Sequence, residues 1–241
     1  MTEQYDLRPL WDEMVKMAQI VLNICQRHHI RCYLAGGSLI GAVRHKGFIP
    51  WDDDLDLMIP RSDYDRFIQI AAQELSAPYG LKSYETTPNE VWCPYAKVVV
   101  TDSEIVEIIS VKSGLKLEQG VFVDLFPMDG LPHSSLGMFV FRGVRSVLRR
   151  WGGASRCALL QWWSKRWRYD KSEYMGWAHD ERADYHKWRW QRKWYDKTVM
   201  LPFDSIMAPA PGEYDKVLTA VYGDYMKLPP IEQRHPTHQK R

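Results

Sequence analysis

After Pro9, apolar residues recur at helical spacing: Leu10, Met14, Met17, Val21, Ile24 and Cys25. This stripe predicts an amphipathic helix of about 18 residues ending near Arg27, suited to cover a sheet. Arg31 to Ala35 then reads as a short strand running into a Gly36-Gly37-Ser38 loop, with Leu39 to His45 as a helical turn leaving it. Pro50 and Pro60 bracket WDDDLDLMI, whose second half alternates as a strand does. That alternation puts Asp54 and Asp56 on one face, Leu55 and Leu57 on the other. Ser62 is the expected N-cap of a helix carrying Tyr64, Phe67, Ile68, Ala71 and Leu75, after which proline and glycine break the pattern. Tyr95 to Val100, Ile105 to Ile109 and Gly120 to Phe126 read as further strands. The expected fold class is α/β, a mixed sheet with helices against it.

The pattern changes beyond residue 133. From Ser134 to Tyr169 there is no acidic residue, while arginine and lysine accumulate among apolar and aromatic side chains, and eight of the eleven tryptophans fall between Trp151 and Trp194. The chain therefore divides into a core over 1–133, a basic, Trp- and Arg-rich, mainly helical insertion over 134–200, and a C-terminal segment over 201–241 that packs back on the core. From Pro202 onward it reads as irregular, apart from one short helix near Tyr214 to Tyr222. Whole-chain charge adds little: 32 basic against 30 acidic residues leave +2, no general signal for nucleic acid. The local basic run over 142–168 allows three uses. Ordinary packing is one, contact with the surface of an anionic membrane another, and a nucleic-acid groove the third, disfavoured because no recognised module accompanies the run. Cys25, Cys32, Cys93 and Cys157 have neither zinc nor disulfide-framework spacing and read as reduced thiols. The polar, acidic start lacks signal-peptide character and no stretch reaches the length of a spanning helix, so a cytoplasmic protein is expected, lying on a membrane if it meets one.

Chemistry concentrates in two places. Asp54 and Asp56, two apart on a strand, can chelate one or two magnesium ions, because alternate residues share a face and hard cations prefer carboxylate oxygen. Their neighbours Asp52 and Asp53 crowd the charge further, and such a cluster repels itself unless cations neutralise it. Asp52 and Asp53 read equally as outer supports of that site or as solvated loop carboxylates. Gly36-Gly37-Ser38 either forms a tight turn or offers backbone amides and a hydroxyl to a phosphate. His28 and His29 are expected at a helix end as capping groups.

A glycine-serine loop followed by a strand bearing Asp-hydrophobic-Asp-hydrophobic resembles the nucleotidyltransferase superfamily. The whole run YLAGGSLIGAVRHKGFIPWDDDLDLMIPRSDYDRF, with YAKVVVTDSEIVE, GVFVDLFPMDGLP and YGDYMKLPP in order, resembles the LicD family of phosphocholine transferases and the related fukutin-related proteins. The resemblance covers most of the chain outside about 142–194. It implies a nucleotidyltransferase-like core in which Asp54, Asp56 and Asp124 hold Mg2+ or Mn2+ and carry catalysis. Gly37 and Ser38 would hold a donor phosphate, with Arg44, His45, Lys46 and Lys97 balancing its charge and His235 and His238 in a basic tail. The implied donor is a CDP-alcohol, with phosphocholine or a similar group moving to a hydroxyl of a glycan, lipid-linked glycan or teichoic acid precursor. In that chemistry the hydroxyl attacks in line, CMP leaves, and Asp124 serves as ligand or base. Two alternatives stay open: nucleotidyl transfer from an NTP to a small molecule or macromolecule, and a non-catalytic module that binds a cation.

Overall fold

A computed structural model describes residues 5–88, 90, 94–117, 119–148, 150, 153–177 and 189–236. Helix α1 (Arg8–Arg27) leads into β1 (Tyr33–Leu34), α2 (Gly36–Arg44), β2 (Asp56–Pro60) and α3 (Arg61–Glu74). Next come β3 (Tyr79–Lys82), β4 (Ala96–Val100), α4 (Ser103–Ser113) and β5 (Phe122–Leu131). The basic region supplies α5 (Ser135–Leu148), α6 (Gly153–Ser164), β6 (Tyr174–Gly176) and β7 (Arg189–Gln191). The chain continues through β8 (Thr198–Phe203), β9 (Ile206–Pro211) and α7 (Tyr214–Tyr222).

The main sheet runs β1-β2-β5-β4-β3, and only β2 and β5 pair in parallel. Strand β5 outlasts these neighbours: its last residues, Asp129 to Leu131, pair with β6, which pairs with β7. Residues of the insertion, expected to be mainly helical, thus also extend the core sheet as strands beside helices α5 and α6. The predicted stripe of α1 is buried in full against this sheet, with Leu10, Met17 and Val21 inaccessible to solvent. Burying such side chains contributes on the order of 1.5–3 kcal/mol each, the main favourable term in folding.

Four local expectations are corrected. Ile105 to Ile109, read as a strand from its β-branched residues, lies inside α4. Asp102 caps that helix by accepting the Glu104 N–H at 2.9 Å, and Gly114 closes it with a left-handed φ of 73°; these ends outweigh β-propensity. Gly36-Gly37-Ser38 is not a loop but the first turn of α2, with the Leu39 N–H donating to the Ala35 carbonyl. Ser62 lies within α3, one residue past its start, and caps nothing. The proline-rich segment after Thr198 is a β-hairpin. Its closing pair is Phe203 and Ile206, and Pro202, Pro209 and Pro211 occupy alternate pairs of the ladder. By the alternation of an antiparallel ladder these are the positions whose N–H is not needed, so proline is tolerated. The turn residue Asp204 docks on the end of α2 by donating its N–H to the Lys46 carbonyl.

Candidate active site

The parallel register sets Asp56 opposite Asp124, and the antiparallel register sets Asp124 opposite Lys97. Paired residues on adjoining strands project to the same face. A row of carboxylate, carboxylate and ammonium therefore crosses three strands. Lys97 Nζ lies 2.5 Å from Asp124 Oδ1 and 3.7 Å above the Phe122 ring centre, where packing restrains its stem.

Asp56 is buried to 9% exposure, and Ser38 fixes its backbone: the Asp56 N–H donates to Ser38 Oγ at 2.9 Å. Burial first, and then the charges of Asp54, Asp124 and Asp52, push the Asp56 carboxyl well above the usual aspartate range, with Lys97 opposing them. The charges of Asp54 and Asp52, neighbours in sequence, and of Asp124, expected from the family resemblance, all act on this one carboxyl. Trp11 holds the acidic turn by donating its indole N–H to the Asp52 carbonyl at 2.8 Å. Asp53 is buried, 1% exposed. Among the described residues no three His, Cys, Asp or Glu side chains converge as a ready-made metal cage. The donor chemistry nevertheless fits a hard divalent cation, since Asp54, Asp124 and Asp52 all raise the Asp56 pKa against the opposing charge of Lys97.

The glycines are required by this crowding. Gly36 has a φ of 51°, and a Cβ there would lie 2.7 Å from Asp56 Oδ2; one on Gly37 would lie 2.6 Å from Asp52 Oδ2. Backbone of α2 and carboxylates thus touch where any side chain would separate them.

The remaining predicted groups divide. Arg44 faces the rim: it donates to the Tyr225 carbonyl at 2.7 Å and to His45 Nε2 at 2.9 Å. Burial and Arg234 lower the Arg44 pKa, and Asp52 opposes them. Burial and the adjacent Arg44 cation lower His45, favouring its neutral form. Lys46 turns back, donating to the Val43 carbonyl at 3.1 Å, and is not drawn toward the carboxylates. His28 meets Glu74 on the surface and His235 is exposed, while His238 lies outside the described residues.

Two aromatic residues escaped sequence reasoning. Tyr222 on α7, although 42% exposed, has its phenol pushed up by burial first and then by the charges of Asp56, Asp52 and Asp54. Trp177 stacks on Phe126 at 4.9 Å and approaches within 3.8 Å of a Cβ built on Gly36. Neither carries a local motif; both arrive from distant segments.

Residues 29–130 match the LicD/FKTN/FKRP nucleotidyltransferase domain. The lipopolysaccharide cholinephosphotransferase LicD of Haemophilus influenzae is 27% identical over 242 residues, 89% of each chain. An uncharacterized protein of Rickettsia typhi is 43% identical over 60 residues, 25% of this chain and 19% of its own. The human ribitol 5-phosphate transferase FKRP is 40% identical over 57 residues, 24% of this chain and 12% of its own. Ser38, Asp54, Asp56, Lys97 and Asp124 all lie inside residues 29–130, so the acidic cluster just described falls within the segment that matches the LicD/FKTN/FKRP nucleotidyltransferase domain.

Proposed function

We propose that the protein is a phosphotransferase that moves a phospho-alcohol from a CDP-alcohol to a hydroxyl of a glycan or lipid-linked glycan, phosphocholine being the first candidate group. The observation that carries this reading is the Asp56, Asp124 and Lys97 row, anchored by Ser38. Similarity along most of the chain to a cholinephosphotransferase supports the reaction class. Asp54, Asp56 and Asp124 would hold Mg2+ or Mn2+, which when bound supplies charge neutralisation for a diphosphate. The chain's own groups do the rest. The α2 N-terminus at Gly37 presents backbone amides to phosphate, and Ser38 keeps Asp56 in register. Lys97 restrains Asp124, the carboxylate that would accept the proton released by the acceptor hydroxyl.

Calorimetric titration of CDP-choline, CDP-ribitol, CDP-glycerol and CTP, with and without magnesium, tests the donor. Magnesium-dependent binding of one CDP-alcohol, lost in Asp56→Asn, is expected. Binding of CTP alone, with pyrophosphate as product, would replace the proposal with nucleotidyl transfer. If no nucleotide binds, the catalytic reading fails.

A further inference from the structure

Helix α5 is apolar on two opposite sides. At about 100° per residue, Leu136, Phe139, Val140, Gly143 and Val147 fall within roughly 60° of one direction, whereas Met138, Phe141 and Arg145 centre on the reverse direction. The second side is the packed one: Phe141 meets Trp167 edge-on at 4.9 Å, and its carbonyl accepts the Trp163 indole N–H at 3.2 Å. The first side faces outward, with Leu136 73% and Phe139 75% exposed and Val140 and Val147 about half exposed. Four large apolar side chains at helical spacing on the outside are not needed for the fold and mark an interaction surface.

Charge identifies what fits it. Arg142, Arg150, Lys165, Arg166 and Arg168 are exposed on this region, and no acidic residue occurs from Ser134 to Tyr169. Lys165 is matched by Asp65 of α3 at 3.1 Å. On α6 the exposed Trp162 carries the Arg166 guanidinium 4.0 Å above its ring, an apolar body beside a cation. A second copy of the chain would place these arginines against themselves across a two-fold axis, which opposes self-association.

We propose that the outer face of α5, with the Trp162 edge of α6, is a docking surface for an anionic membrane. Apolar side chains enter the headgroup boundary while the arginines meet lipid phosphate. Among the described residues no helix is long and apolar enough to cross a membrane, so the contact is interfacial. The surface lies apart from the acidic site: roughly 23 Å of β5 separates Asp124 from Leu131, where the chain leaves for α5. The inference does not rest on the proposed reaction.

Sedimentation of the whole chain with vesicles of phosphatidylcholine, alone or mixed with phosphatidylglycerol, is the test. Binding only to the mixed vesicles is expected, weakened by salt and lowered at least about ten-fold by Phe139→Ser with Val140→Ser. Arg142→Glu with Arg150→Glu, at solvent-facing positions, should weaken it similarly, since each arginine near an anionic surface accounts for about five-fold. This second pair decides the matter if the serine pair folds poorly. A parent protein that stays in the supernatant overturns the proposal, as does unchanged sedimentation of the charge-reversed variant. A dimer in analytical ultracentrifugation that either variant dissociates, without vesicle binding, assigns the face to a second copy.

Discussion

Removing the Asp129 carboxylate should destabilise the protein more than removing any surface charge. Asp129 has no exposed side-chain area and Arg61 retains 7%; they form a two-pronged pair, Nε to Oδ1 at 2.6 Å and Nη2 to Oδ2 at 2.8 Å. A third prong reaches Gln161 Oε1 on α6 at 3.1 Å, so α3, β5 and α6 meet at one guanidinium. Burial works against the Arg61 charge, but Asp129 holds its pKa above the ordinary value, so Asp129→Ala strands a cation in the interior. Asp65, 3.7 Å from Arg61 and partly exposed, is a poor substitute. Breaking such a pair costs about 3–5 kcal/mol. At roughly 2–4 °C per kcal/mol for a chain of this size, the melting midpoint should fall by roughly 6–20 °C. Replacing both partners, Arg61→Leu with Asp129→Leu, removes the stranded charge and should recover most of the loss. Urea and thermal unfolding followed by circular dichroism measure all variants. Asp129→Ala within about 1 kcal/mol of the parent, or a double variant as unstable as the sum of the singles, would refute the reasoning.

Two further outcomes follow from the acidic site. The Asp56 pKa is raised in the folded protein, so the folded state holds its proton more tightly than the unfolded one. The resulting stability is present at acid pH and lost as pH rises through the raised value, above the usual carboxylate range. With a chelator present, the melting midpoint of the parent should therefore decline toward neutral pH more steeply than that of Asp56→Asn, and magnesium should flatten the decline; equal slopes would sink this account. Gly37→Ala forces the Asp52 carboxylate away from a Cβ that would lie 2.6 Å from Oδ2, so turnover should drop on the order of ten- to hundred-fold while the melt changes little. Turnover equal to the parent would show that the close approach is dispensable.

Much of this was legible in the residues alone because it is local. Period and punctuation predicted α1, most of β2 and α3, and the short helix at Tyr214–Tyr222. Alternation in WDDDLDL predicts Asp54 and Asp56 on one face, although β2 itself begins only at Asp56, and the acid-free run marks a local concentration of positive charge. The sequence could not show that Asp124 stands opposite Asp56 or that Lys97 flanks it, because register between segments tens of residues apart depends on which strands pair. Nor could it separate the buried side of α5 from its outward side, both being apolar. Ile105–Ile109 looked like a strand until its caps closed a helix, and the prolines of β8 and β9 concealed a hairpin. Tyr222 and Trp177 joined the site through packing of distant elements. Periodicity records what each segment buries, but tertiary pairing decides which charges share a face, and those charges make the site.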